Sequence, residues 1–357
     1  MAEINFLPGP VKISTRVRAA LAAKTMSHRS EAFSRLHEQS EKELLRLGKS
    51  KYVAMLVGSG TAANAVIAQE LKKLSGRGLI LANGEFGARL IHQGKNAGLD
   101  FDDLAVTWGE AFAWEDIEKR LQNKSWLWLT HCETSVGAIN LDARLVAYCK
   151  ERGIKLCLDS VSAFCNQDVD FSDVYLASSA SGKGLCSFSG VALVFYNHEP
   201  QRAPNGVDYL DLAVYHEAAS VPFTFSFNLL NALHTALLVT NYPKKIRRNV
   251  KYASQIAACL AANGLHTPLA ATMDSQVGGQ QADYIWTIAL PEGVSSQTLG
   301  DRLEKIGVWI HYKNRYLLEN NWIQIALMGV CNAGEVAIGL SEFERELQTL
   351  RREHSIR

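Results

Sequence analysis

No apolar run in this chain approaches the length of a membrane span, so a helical membrane protein is not expected. Charge bias is missing as well. Lys and Arg number 37 against 36 Asp and Glu, a net charge of +1, which favours neither nucleic acid nor a membrane surface as a partner. No Cys-x-x-Cys pair occurs, and the seven cysteines are scattered and odd in number. That pattern argues against a disulfide framework and a bound metal, and for a reduced, cytoplasmic setting. The opening Met1-Ala2-Glu3-Ile4-Asn5 has neither the basic start nor the apolar core of a signal peptide. Internal repeats and low-complexity tracts are lacking too. What is left is an ordinary globular composition, 47% hydrophobic and 20% charged over 357 residues. That is enough for two or three domains, or one large domain with an appendage.

Short, continuously apolar segments predict strands over 52–57, 78–82, 104–107, 126–130, 154–159, 174–177 and 191–195. Helical patterns lie between them. Ala63, Val66, Ile67, Leu71 and Leu74 form one stripe; Leu145, Val146 and Cys149 form another, stopped by Gly153. Such alternation predicts an α/β fold, a mostly parallel seven-stranded sheet with helices on both faces. Ahead of it, Phe33, Leu36, Leu44 and Leu47 mark an amphipathic helix over 31–47. Beyond residue 240 the pattern becomes α+β. Strands over 284–290 and 322–327 flank a helix carrying Leu299, Leu303 and Ile306. A last helix is predicted from Ser341, with Glu344 completing a capping box. One long helix across 226–260 is expected to link the parts. The division reads as an N-terminal arm over 1–15, a large domain over 16–240 and a small C-terminal domain over 241–357.

Sites in open parallel sheets gather at the carboxyl ends of strands. Thr61, Glu133, Asp159 and Lys183 each follow a candidate strand. Lys183 lies in Ser178-Ser179-Ala180-Ser181-Gly182-Lys183-Gly184-Leu185, downstream of Asp159. A lysine amine forms a Schiff base with the aldehyde of pyridoxal 5′-phosphate (PLP). An aspartate keeps the ring nitrogen protonated, so that the ring draws electrons from a substrate α-carbon. Gly58-Ser59-Gly60-Thr61-Ala62-Ala63-Asn64 follows a strand and opens a helix. Its Ser59, Gly60 and Thr61 are candidate phosphate contacts, and the missing G-K-[ST] ending sets it apart from a nucleotide P-loop. Thr134, in His131-Cys132-Glu133-Thr134-Ser135-Val136-Gly137, is a candidate for the cofactor's ring hydroxyl or phosphate side. Phe86, in Asn83-Gly84-Glu85-Phe86-Gly87, is a candidate to stack on the ring, and Val161 follows Asp159 as a further cofactor contact. Taken singly, each has a plainer reading: a solvated lysine, a simple turn, a helix cap, a core aromatic.

In this order the segments resemble the class V aminotransferases, PLP-dependent enzymes of the aspartate aminotransferase fold type (fold type I). The likeness spans nearly the whole chain. Leu7-Pro8-Gly9-Pro10 is similar to the family's opening, and Ser27-His28-Arg29-Ser30-Glu31-Ala32-Phe33 resembles a segment of its phosphoserine branch. The overall pattern is similar to the alanine–glyoxylate (serine–pyruvate) and 2-aminoethylphosphonate branches. The resemblance implies that Lys183 is the Schiff-base lysine and general base, with Asp159 at the ring nitrogen. It implies ping-pong transfer from a small amino acid or aminophosphonate to a keto acid. It also implies a homodimer with sites at the subunit interface, where Thr224 of Pro222-Phe223-Thr224 reaches the partner's cofactor. Gly9, Arg29, Gln324 and Arg315 fall on the substrate side.

Two positions depart from the family pattern. Gly182 stands where a glutamine or asparagine usually precedes the lysine. Gln324, in Gln324-Ile325-Ala326-Leu327-Met328-Gly329, stands where an arginine clamps the substrate carboxylate. A glutamine offers no charged bidentate fork. The carboxylate is therefore expected at Arg29 or Arg315, with Gln324 still facing the site. The same departure keeps open a PLP lyase, desulfurase or cyclase, with Cys331 as the desulfurase thiol. A non-catalytic binding protein is a third reading, against which Lys183 and Asp159 both argue.

Overall fold

A computed structural model of the chain describes residues 3–218, 220–270 and 275–355. The central sheet comprises β1 (Tyr52–Gly58), β2 (Gly78–Ala82), β3 (Phe101–Ala105), β4 (Trp126–Thr130), β5 (Lys155–Asp159), β6 (Leu176–Ala180) and β7 (Gly190–Tyr196). Across the sheet the order is β1-β7-β6-β5-β4-β2-β3. Strand β7 runs antiparallel to both its neighbours; all other pairs are parallel.

Both faces are covered, which is why these strands read as unbroken apolar runs. On one face Trp126 and Trp128 pack with Ile80, Cys157 and Val194. On the other, Leu127 and Leu129 pack with Leu81, Leu156 and Leu158. The helices that cover the sheet include α1 (Thr15–Leu21), α2 (Glu31–Gly48), α3 (Gly60–Lys72), α4 (Glu85–Ala97) and α5 (Ala143–Glu151). Further on come α6 (Phe227–Val239), α7 (Tyr242–Ala262), α8 (Ser296–Lys305) and α9 (Ala333–Ser355). An antiparallel pair, β8 (Ile285–Ala289) and β9 (Trp322–Ala326), belongs to a second core. The N-terminal segment joins that core. Ile4–Asn5 pairs in parallel with Val308–Trp309, and Ile4 and Phe6 pack against Ile256, Ile288 and Val336. Among the described residues no helix is long and apolar enough to cross a membrane.

Four expectations shift. Strand β3 begins at Phe101, earlier than 104–107, because it is an edge strand and tolerates the half-buried Asp102 and the exposed Asp103. Strand β6 runs on through Ser178 and Ser179, whose burial is made possible by partners such as Asn64, which accepts from Ser178 Oγ at 2.6 Å. The single helix across 226–260 is two helices, α6 and α7. Asn241 caps the second by accepting from Lys244 N at 3.0 Å, and Pro243 lies in its first turn. The last helix starts at Ala333, not Ser341. Its capping box is Asn332 with Glu335: each side chain accepts from the other's backbone N–H, at 3.0 and 3.2 Å.

Candidate active site

A cavity of about 210 Å³ opens at the carboxyl ends of the parallel strands, lined by Gly60, Thr61, Phe86, Thr134, Asp159, Val161 and Lys183. Each comes from the end of a strand or from the loop or helix that follows one, as the topology requires.

Asp159 ends β5. Its carboxylate accepts from Asn64 Nδ2 at 2.8 Å and from Val161 N at 3.1 Å. Burial raises its proton affinity above the ordinary carboxylate range, while those two bonds and the Lys183 charge pull the other way. A cationic N–H in the cavity would complete its partners. Lys183 is half-buried, three residues past β6, and its amine makes no hydrogen bond among the described residues. Loss of water brings that amine down to about 8, against the pull of Asp159 and Cys132. Gly9 of the N-terminal segment presses on this side chain: a Cβ there would lie 3.3 Å from Lys183 Cε.

The first turn of α3 has no side-chain cap, and its Gly60 and Thr61 line the cavity. A Cβ at Gly60 would come within 2.5 Å of Val161 Cγ2, so only glycine lets the helix start lie there. Ser59 stands exposed just outside this lining. Thr134 donates to Ser162 Oγ at 2.6 Å, and Phe86 is half-buried beneath the Arg89 guanidinium, 4.9 Å from the ring centre.

Glu133 turns away from this chemistry. It is fully buried and accepts from the N–H groups of Phe86 and Gly87, at 3.2 and 2.8 Å, and from Ser135 N and Oγ. It therefore caps α4 and fixes Phe86 in place. Gln324 behaves alike. Its Nε2 donates to Thr134 O at 2.7 Å, Ser135 O at 3.2 Å and Thr287 Oγ1 at 2.9 Å. It braces the cavity wall from behind and is not part of the lining.

The two expected clamps also lie elsewhere in this chain. Arg29 donates to Val221 O at 2.7 Å and Pro222 O at 3.1 Å, so it fastens the segment that leads to the exposed Thr224. Arg315 is largely exposed and paired with Glu319 at 2.7 Å. Asn64, Arg89, Cys132 and Ser162 line the cavity without having been singled out. Asn64 and Cys132 sat inside the quoted motifs, Ser162 directly follows Val161, and Arg89 follows Phe86 by one helical turn. Cys132 is an inert thiol, pushed up to about 12 by burial. His311, which burial and the Lys183 charge bring down to about 4, carried no signal at all.

The class V aminotransferase model matches residues 13–208. The chain belongs to that family of PLP-dependent enzymes. It is a transaminase. Over 247 residues it is 30% identical to the soluble hydrogenase 42 kDa subunit of Anabaena cylindrica, a match spanning 65% of this chain and 64% of that protein. It is 28% identical over 295 residues to a 2-aminoethylphosphonate–pyruvate transaminase of Pseudomonas entomophila, covering 77% of this chain and 80% of the other. The structure of ureidoglycine–glyoxylate aminotransferase from Bacillus subtilis shares the fold, with a TM-score of 0.87 at 21% identity over 98% of this chain and 94% of that one.

The cavity suits this cofactor. An unbonded amine of lowered basicity, a buried carboxylate short of a cation, and an uncapped helix start meet in one space. They match, in turn, an aldehyde, a pyridinium N–H and a phosphate.

Proposed function

We propose that the enzyme moves an amino group from a small amino acid or an aminophosphonate to a keto acid, with Lys183 as anchor and base. One observation carries this: the unbonded amine of Lys183 shares a cavity with the buried carboxylate of Asp159. Bound PLP supplies an aldehyde for covalent attachment and an electron-poor ring. Lys183 is the residue that would hold the cofactor through that aldehyde, and its amine would take up and return the substrate's α-proton. Its depressed basicity suits both tasks, since about a tenth of the amine is unprotonated at pH 7, some hundreds of times more than for an ordinary lysine. Asp159 holds the ring nitrogen's proton. Thr134, Val161 and Phe86 would hold the ring, and Ser59, Gly60 and Thr61 the phosphate.

With Gln324 committed to Thr134, Ser135 and Thr287, we assign the acidic end of the substrate to Arg89, the guanidinium that lines the cavity, in competition with its ion pair to Glu85 at 2.8 Å. Gly9 limits the space beside Lys183. We further propose a cytoplasmic homodimer in which the exposed Thr224, held out by Arg29, reaches the phosphate of the partner's site. The desulfurase alternative finds no support at Cys331, which is buried with its thiol pushed up, the reverse of a reactive cysteine.

A visible absorption scan of the purified protein tests the reading, repeated after separate additions of alanine, serine, phosphoserine and 2-aminoethylphosphonate. A cofactor band that bleaches with one donor is expected, and Arg89→Gln should raise the concentration of that donor needed by about tenfold. A band that no donor bleaches would refute the proposed donor class.

A further inference from the structure

Lys245 stands in the first turn of α7, 4% exposed, with no carboxylate partner among the described residues. A buried ammonium is costly unless every N–H is bonded. Here all three end on neutral oxygens: Cys165 O at 2.9 Å, Asn166 Oδ1 at 2.5 Å and Gly184 O at 3.0 Å.

Those acceptors belong to two loops. Cys165 and Asn166 close the turn that begins at Asp159, and Gly184 follows Lys183. The loops are in direct contact, since a Cβ at Gly184 would lie 2.1 Å from Phe164 O. Each also holds a cysteine with left-handed backbone, Cys165 at φ 61° and Cys186 at φ 57°. That conformation is costly for a residue with a side chain and persists only where the surroundings impose it. Three residues before Lys245, Tyr242 donates to Leu185 O at 3.1 Å. One face of α7 thus takes two consecutive carbonyls of the loop after Lys183.

We propose that Lys245 is a positioning residue that clamps the Asp159 and Lys183 loops together from behind and so sets the two groups against each other. A methionine would fill a similar volume without a charge to desolvate. A cation at this point gains nothing from pairing, and what it does supply is three divergent donors to oxygens of both loops, one of which, Gly184 O, also accepts from Cys186 Sγ at 3.4 Å. The inference rests on Lys183 being the cofactor-bearing lysine.

The test is Lys245→Met in the full chain, with two readouts that a general loss of stability does not move. In cofactor-free protein, the rate of Lys183 modification by an amine reagent is followed against pH by peptide mass spectrometry. PLP affinity is measured by absorbance titration. The Lys183 midpoint should rise from about 8 by about one pH unit as the loosened loop admits water, and PLP binding should weaken by about tenfold or more. A lowered melting temperature with both readouts unchanged would make Lys245 a stability element and overturn the proposal. Should Lys245→Met fail to fold, Asn166→Ala removes a single acceptor and should move both readouts the same way; no movement there is equally fatal. Borohydride reduction of the wild type separates the underlying reading, because PLP fixed anywhere but Lys183 would sink that reading and the clamp with it.

Discussion

The cavity has two kinds of wall. On the Asp159–Lys183 side, polar groups are left short of partners: among the described residues the lysine amine makes no hydrogen bond, and the carboxylate accepts only from Asn64 and Val161. On the Glu133–Gln324 side, every polar atom is engaged. Glu133 accepts four hydrogen bonds, while Gln324 donates to three oxygens and accepts from Tyr316. Asp159 and Lys183 are half-buried and Glu133 and Gln324 fully buried, yet desolvation acts on both walls. What differs is whether a desolvated group has spent its bonding capacity. Saturated groups hold shape; unsaturated ones are free to act on a ligand.

Substitutions on the two walls should therefore differ in kind. The largest effect is expected from Lys183→Ala, which should abolish covalent cofactor capture and lower turnover by at least about 10³-fold. Near-normal turnover would remove the distinction altogether. Asp159→Asn keeps the shape and loses the charge, so turnover should fall by about 10²–10³-fold while PLP still attaches. The lysine's depressed basicity gives a pH test. Below about 8 the amine is protonated and cannot attack an aldehyde; above it the amine is free. The rate at which cofactor-free protein captures PLP should climb about tenfold per pH unit and then level off near 8, whereas a solvated lysine would go on climbing past pH 10. Smaller effects belong to the saturated wall. Glu133→Gln and Gln324→Leu should each cost about 1–3 kcal/mol of stability, read from denaturant midpoints, with little change in KM for the keto acid. A large, selective rise in KM for Gln324→Leu would mean that this wall does touch substrate.

Much of the reactive wall was legible in the sequence, because its residues sit in short segments next to strand ends. Asp159, Lys183, Thr134 and Gly60 could be placed at strand ends from local pattern, and all four line the cavity. The saturated wall was less so. Gln324 looked like a weakened substrate contact because strand alternation shows which way a side chain faces and not what fills the space beyond it. Its partners Thr134 and Thr287 are distant in sequence, as are the three acceptors of Lys245. The helix break at Asn241 and the box at Asn332 had adequate local signals. They were overridden by a longer apolar stripe in one case and a second Ser-x-x-Glu pattern in the other.

Residues 4–12 pair with Val308–Trp309, bond to Ala326 and Val330, and set Gly9 against Lys183. On a ribosome adding about 5–20 residues per second, this stretch is made long before its partners. It must wait for residues 308–330 before it can settle. Lys183 is translated long before its surroundings are complete, so a polypeptide stalled before residue 330 would carry the reactive lysine without the enclosure that tunes it.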